Sequence, residues 1–154
     1  EDDNGKDYAL LQPLLADAAI KPAPEYIAFA RDAFRDLLRI RASSPLFRLQ
    51  SAAEIKRRLR FLNTGPQQVP TVLAATLDGR GYKGAGFSRI SYFVNVDVVA
   101  HVVPDPQARG IRMRPHPVHL APGAADKRAA SAGYDSSTGT FSIPPRTAVV
   151  FVAD

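Results

Sequence analysis

The chain has 154 residues, 45% of them hydrophobic and 23% charged, with no cysteine and a formal net charge of +5. That length fits one large or two small domains, and the lack of cysteine excludes both a disulfide-stapled scaffold and a thiolate zinc site. No apolar run reaches the roughly 18 residues of a membrane-spanning helix, and no repeat or heptad array is present. The only methionine is Met113, and the chain opens on the acidic stretch Glu1 to Tyr8, so a longer parent chain is expected.

In chain order, residues 1–24 read as loop, with a short helix around Tyr8 to Leu15 that Pro13 should interrupt unless it sits in the first turn. Lys21-Pro22-Ala23-Pro24 cannot be helical, because a residue before proline is pushed to extended conformations. From Glu25 to Arg41 there is no Gly or Pro, and Tyr26, Phe29, Ala30, Ala33, Phe34, Leu37 and Ile40 recur at helical spacing. Pro24 suits the first helical position, Glu25 the positive end of the dipole, and Arg39 and Arg41 the negative end. Ser43-Ser44-Pro45 ends this helix, and Ser51-Ala52-Ala53-Glu54 has the spacing of a capping box, so a second, short helix starts there.

Leu59 to Leu62 reads as extended, Asn63-Thr64-Gly65-Pro66 as a turn, and the rest as β structure. The expected strands are Thr71 to Leu77, Ile90 to Val103 with a break, Gly110 to Leu120, Ala132 to Tyr134, Thr140 to Ile143 and Thr147 to Ala153. A glycine-rich loop, Asp78 to Gly86, joins the first two, and Asp135 to Gly139 is a hairpin turn. Short strands at this spacing predict a mainly β protein, an antiparallel sandwich preceded by one long amphipathic helix and a short second one.

The net positive charge leaves a basic nucleic-acid-binding module as a third reading of function, but the basic residues are spread among acids with no nucleic-acid signature, so no nucleic-acid partner is expected. The densest run, Lys56-Arg57-Arg58-Leu59-Arg60, reads as a solvated face rather than a phosphate track. The Asp78 to Gly86 loop lacks a phosphate-binding ending and a following helix. Asp2 to Asp7 resembles the start of a calcium loop, but with Gly5 as sixth position the first falls outside the chain and the twelfth is Leu11. His116 and His119, on an extended strand, should point to opposite faces, which argues against a shared metal. His101 has no nucleophile motif around it, and no pair of carboxylates sits in a recognisable catalytic pattern. The residues themselves call for no catalytic group, cofactor or metal.

Two blocks carry a resemblance. Ala33 to Leu49, containing Arg-Ala-Ser-Ser-Pro-Leu-Phe, and Arg60 to Pro70, containing Phe-Leu-Asn-Thr-Gly-Pro, closely resemble the C-terminal end of pullulanase-type α-1,6-glucosidases, starch-debranching members of the α-amylase superfamily. Leu11 to Asp17, the Lys21 to Pro24 link and the closing Tyr134 to Val152 look like the same family. Between Gly79 and Arg114 the chain departs from it: a strand ending in an Asn-Ala turn is expected, and Asn95 is followed by Val96-Asp97 instead.

The resemblance implies that residues 1–45 are the end of a catalytic (β/α)8 barrel, with the helix at 25–41 its last, and that 46–154 form a C-terminal sandwich. It implies a parent that cleaves α-1,6 linkages of pullulan, amylopectin or glycogen-type glucans, with its catalytic acids on earlier strands. The expected role of this chain is non-catalytic: Tyr26, Phe29, Phe34 and Leu37 pack against the barrel, or mediate self-association of the isolated chain. An alternative is an α-glucan-binding module using Tyr82 or Phe87, although an aromatic in a glycine-rich loop more commonly plugs a core. The lack of cysteine fits a cytoplasmic or an exported parent alike.

Overall fold

A computed structural model describes residues 3–154; Glu1 and Asp2 of the acidic opening, and with them the start of the calcium-loop resemblance, lie outside the described residues. Among the described residues, four α-helices precede or interrupt eight strands: α1 (Tyr8–Ala16), α2 (Pro24–Ala42), α3 (Ala52–Arg58), β1 (Leu59–Phe61), β2 (Val72–Asp78), β3 (Arg89–Asn95), β4 (His101–Pro104), β5 (Arg114–Pro115), α4 (Pro117–Leu120), β6 (Gly133–Asp135), β7 (Thr140–Ile143) and β8 (Thr147–Ala153). The strands form two antiparallel sheets, one in the order β1-β2-β3-β8-β5 and one in the order β4-β7-β6. The expected sandwich is present.

Alternation along the strands decides which cluster each side chain joins. Phe93, Val149 and Phe151 of the larger sheet meet Val103, Phe141 and Ile143 of the smaller, all buried. Ring centroids of Phe93 and Phe141 lie 4.7 Å apart and those of Phe141 and Phe151 5.1 Å apart, so aromatic packing ties the layers together. The opposite face of the larger sheet is also covered: Leu77, Ile90, Val150 and Val152 pack against Ile40 and Leu46. Burial on both faces explains why β8 is a continuous apolar run rather than an alternating one.

Most expected elements form within a residue or two of their expected limits. Pro24 opens α2, with Glu25 in its first turn and Arg39 and Arg41 in its last. The Ser51 hydroxyl accepts from the Glu54 backbone N–H at 3.2 Å, which caps α3. Gly139 has φ +73° in the turn between β6 and β7, and its backbone N–H donates to the Asp135 carbonyl.

Three expectations are corrected. The helix expected around Tyr8 to Leu15 forms as α1, but Pro13 sits in its interior, past the first turn, and does not interrupt it. The expected strand from Gly110 to Leu120 is reduced to Arg114–Pro115, and Pro117–Leu120 is a helical turn. Pro115 and Pro117 lack the N–H groups a strand requires, and Pro117 takes the first helical position it favours. The basic run is not wholly a solvated face. Arg58 is buried, donating to the Glu54 carboxylate and to the carbonyls of Asp78 (2.9 Å) and Arg80 (3.0 Å). Arg60 reaches the buried Asp105 carboxylate at 2.7 Å.

The departure around Asn95 also has a physical reason. The buried Asn95 amide donates to the carbonyls of Val99 and Pro144, each at 2.9 Å, and its oxygen accepts from the Asp97 N–H at 2.9 Å. One side chain thereby fixes the break between β3 and β4.

Candidate functional site

Helix α2 is held along one edge only. Ile40 is 2% exposed against the outer face of the larger sheet, and the buried Asp36 accepts from the Ala125 N–H at 2.8 Å and pairs with Arg39 at 2.8 Å. At its C-terminal end the Ser44 hydroxyl donates to the Ala85 carbonyl at 2.6 Å and accepts from the Leu46 N–H at 3.1 Å. Phe29 is covered in part by the Arg128 guanidinium, 5.6 Å from its ring centre.

The rest of the apolar stripe is only partly covered. Tyr26 is 66% exposed, Phe34 61% and Leu37 38%, with Ile27 and Leu38 exposed beside them. The stripe that reads in sequence as one face is therefore divided in space: Asp36 and Ile40 turn to the sandwich, and Tyr26, Phe34 and Leu37 turn away from full burial. An apolar groove of 220 Å³, lined by Leu37, Ile40, Phe47, Tyr92, Val94 and Ala148, runs between α2 and the sheet and continues this surface. Helix α1 separately exposes Leu10, Leu14 and Leu15. An apolar patch such as Phe34, Leu37 and the groove beside them is seldom left to water unless another surface covers it.

Tyr82 and Phe87 occupy the loop between β2 and β3, both partly buried against the Ile40–Leu46 cluster. The Arg58 guanidinium lies 4.7 Å above the Tyr82 ring centre, and Phe87 meets the His116 ring edge-on at 5.6 Å. Each ring thus has a protein partner on at least one side.

His116 and His119 are not on a strand with opposed side chains, as the sequence predicts. Both are buried on the α4 turn. His116 Nδ1 accepts from the Val118 N–H at 3.2 Å, its Nε2 lies 3.0 Å from the Ser43 hydroxyl, and His119 Nε2 accepts from the Val150 N–H at 3.1 Å. Burial, aided by the positive charges of His119 and Arg114, pushes His116 down to about 4. Burial also lowers His119, against the opposing pull of Asp126 and Asp36.

The buried acids are committed as well. Asp105, fully buried, is clamped between Arg60 and Arg89, the latter at 2.5 Å. The carboxylate of Asp97 is held below its usual range, chiefly by the His101 imidazole 2.9 Å away. Among the described residues no group of three His, Cys, Asp or Glu gathers to hold a metal ion, and no helix is long and apolar enough to cross a membrane.

Comparison with known proteins adds to this geometry. The family described as alpha-1,6-glucosidases, pullulanase-type, C-terminal matches residues 1–154. Pullulanase 1, chloroplastic, of Arabidopsis thaliana is 35% identical over 157 residues, a match covering 97% of this chain and 16% of that protein. Ligand-free PulA from Klebsiella pneumoniae superposes with a TM-score of 0.80 at 22% identity, over 98% of this chain and 14% of that one. A pullulanase from Anoxybacillus sp. LM18-11, solved with maltotriose, shares the fold at a TM-score of 0.53 and 18% identity, over 77% of this chain and 14% of its own. The chain therefore spans about a sixth of the curated relative it matches.

Proposed function

Because this chain belongs to the C-terminal family of pullulanase-type α-1,6-glucosidases, we propose that it is the non-catalytic C-terminal unit of a debranching enzyme, and that it packs against the catalytic barrel through α2. The observation that carries this reading is the divided helix. One side of α2 is fixed to the sandwich through Asp36, Ile40 and, just past its end, Ser44, while Phe34, with Ile27 and Leu38, faces solvent on the other and Tyr26 and Leu37 lie exposed at the margin. A helix anchored on one side and apolar on the other is built to lie between two bodies. The barrel partner is inferred from the family, whose members act on α-1,6 linkages of pullulan or amylopectin-type glucans.

The committed acids support a structural role for this piece. Asp105 and Asp36 are each locked in ion pairs rather than standing in a cleft as an acid and nucleophile pair. A glucan-binding role at Tyr82 and Phe87 has less support, since Arg58 already occupies one face of the tyrosine. The test has two parts. The purified chain should release no reducing sugar from pullulan, and its sedimentation should show concentration-dependent association that Phe34→Asp abolishes. Hydrolysis by the chain, or a strict monomer at all concentrations, overturns the proposal.

A further inference from the structure

The α4 turn is a bracket between α2 and the edge of the larger sheet. The backbone N–H of His116 donates to the Val150 carbonyl at 2.8 Å, and His119 Nε2 accepts from the Val150 N–H, so an imidazole nitrogen takes the place of the carbonyl a neighbouring strand would offer. On the other side, His116 meets the C-terminal end of α2 at Ser43. The direction of that bond follows from the serine: its proton goes to the Ile40 carbonyl at 2.6 Å, so His116 Nε2–H is the donor to the hydroxyl oxygen. His116 therefore carries its single proton on Nε2 and leaves Nδ1 bare to receive the Val118 N–H. His119 likewise keeps Nε2 bare for Val150. The two bonds in which a bare ring nitrogen accepts, from Val118 and from Val150, require a neutral ring.

We propose that His116 and His119 form an acid-released latch, which holds α2 to the sandwich while both imidazoles are neutral and lets go when either takes up a second proton. A proton on His116 Nδ1 would face the Val118 N–H, and one on His119 Nε2 would face the Val150 N–H, donor against donor. The ring must then leave its place, and the α2 joint loses its bracket.

The groups facing these rings set the range. Around His116 they are Arg114 from β5 and His119 from α4, both unfavourable to a second positive charge, while the loop before β3 presents only the Phe87 ring. Around His119 they are Asp36 from α2 and Asp126 from the segment after α4, which line a small cavity beside the ring and favour its charge. Those two carboxylates give a charged His119 somewhere to turn. Asp36 in turn holds the Ala125 N–H, so drawing it away loosens a second α2 contact.

The sign follows from the lowered affinity of the closed state for protons. The latch is fully favoured above about pH 6.5 and weakens from there down to about 4, because the open chain accepts a proton that the closed one refuses. At pH 5, His116 alone raises the opening constant by about 30-fold over its value at pH 7.5. The inference stands whether or not α2 docks on a barrel, since it concerns only contacts within the chain.

The test is amide hydrogen exchange of the 154-residue chain from pH 7.5 to 4.5, corrected for intrinsic rates, with the histidine ring signals titrated in parallel. Amides of Ile40 and Leu46 should lose protection by 10-fold or more by pH 5, in step with proton uptake by His116 or His119, while Phe93 and Phe151 stay protected. In the double variant H116N/H119Q, where side-chain oxygens accept the same N–H groups without titrating, protection should persist to pH 5; H101N should behave as the native chain. If the native chain keeps its α2 protection to pH 4.5, or opens together with the sandwich core, the latch is wrong. If the double variant folds and opens with the same pH dependence, carboxylates are responsible and the latch is likewise wrong. Should that variant fail to fold, the native titration decides: an opening midpoint that does not follow either histidine refutes the proposal.

Discussion

Phe34 and Ile40 lie on the same helix six residues apart, and the structure assigns them opposite dependences on their surroundings. Ile40 is 2% exposed and fills the seam between α2 and the sheet, so Ile40→Ala should destabilise the chain by about 2–5 kcal/mol wherever it is measured. Phe34 is 61% exposed. Truncating it should change the stability of the isolated chain by no more than about 0.5 kcal/mol. If α2 docks on a catalytic barrel, the exposed part of that ring becomes buried. Burying a whole phenylalanine is worth roughly 1.5–3 kcal/mol, so its exposed fraction accounts for about 1–2 kcal/mol, or a 5- to 30-fold change in the docking equilibrium. Urea unfolding of the isolated chain, at dilutions where it is monomeric, and thermal inactivation of a longer debranching enzyme of the proposed kind, with this chain as its C-terminal unit, give the two measurements. Phe34→Ala should be silent in the first and costly in the second, whereas Ile40→Ala should be costly in both. A Phe34→Ala cost above about 1 kcal/mol in the isolated chain would mean that the ring is already packed. An unchanged inactivation rate in the longer enzyme would mean that nothing covers it.

Other substitutions test the internal architecture. Asp105→Ala leaves Arg89 without its carboxylate partner in a buried setting and should cost about 3–5 kcal/mol in urea unfolding, whereas a cost below 1 kcal/mol would remove Asp105 from the structural core. At Gly139, φ is +73° and a Cβ would come within 2.4 Å of the Asp105 carbonyl oxygen. Gly139→Ala should therefore destabilise by about 2 kcal/mol or more, read from the same unfolding curves. Tyr82→Ala should cost about 0.5–2 kcal/mol through the lost Arg58 contact and leave migration in amylopectin gels unchanged; retardation of the native chain that the variant loses would favour the glucan-binding alternative. Pro13→Ala restores a backbone donor inside α1 and should increase exchange protection there, since an interior proline costs roughly 3 kcal/mol of helix stability.

What could be read from sequence was set by local chemistry. The limits of α2 follow from Pro24 and from the Ser43-Ser44-Pro45 stop, and those of α3 from the Ser51 cap, because each signal acts within one helical turn. The strands β2, β3, β7 and β8 carry apolar residues that pack on one or both sides, and their turns contain glycine where φ is positive, as at Gly139. What stayed hidden depends on partners distant in the chain. Arg58 looks like part of a basic run until the carbonyls of Asp78 and Arg80 fold over it. Asn95 looks like a broken family turn until the Pro144 carbonyl meets it. The α4 turn had a signal, a proline at its first position, but its cap is His116, outside the usual set of Ser, Thr, Asp and Asn.

The division of α2 was the least legible feature, and it is the one on which the proposed function rests. Helical spacing places Tyr26, Phe29, Phe34, Leu37 and Ile40 on one broad face, and nothing local says that a second body claims only its edge. Asp36 gives the physical reason. A carboxylate at the margin of an apolar face is tolerable only where a donor meets it, and the Ala125 N–H does so from 89 residues away. That contact fixes the rotation of the helix about its own axis. With Asp36 and Ile40 turned inward, the 100° step per residue carries Phe34 and Leu38 outward whatever their own preference. The exposed stripe is then a consequence of the polar anchor, and it should persist for as long as Asp36 holds Ala125.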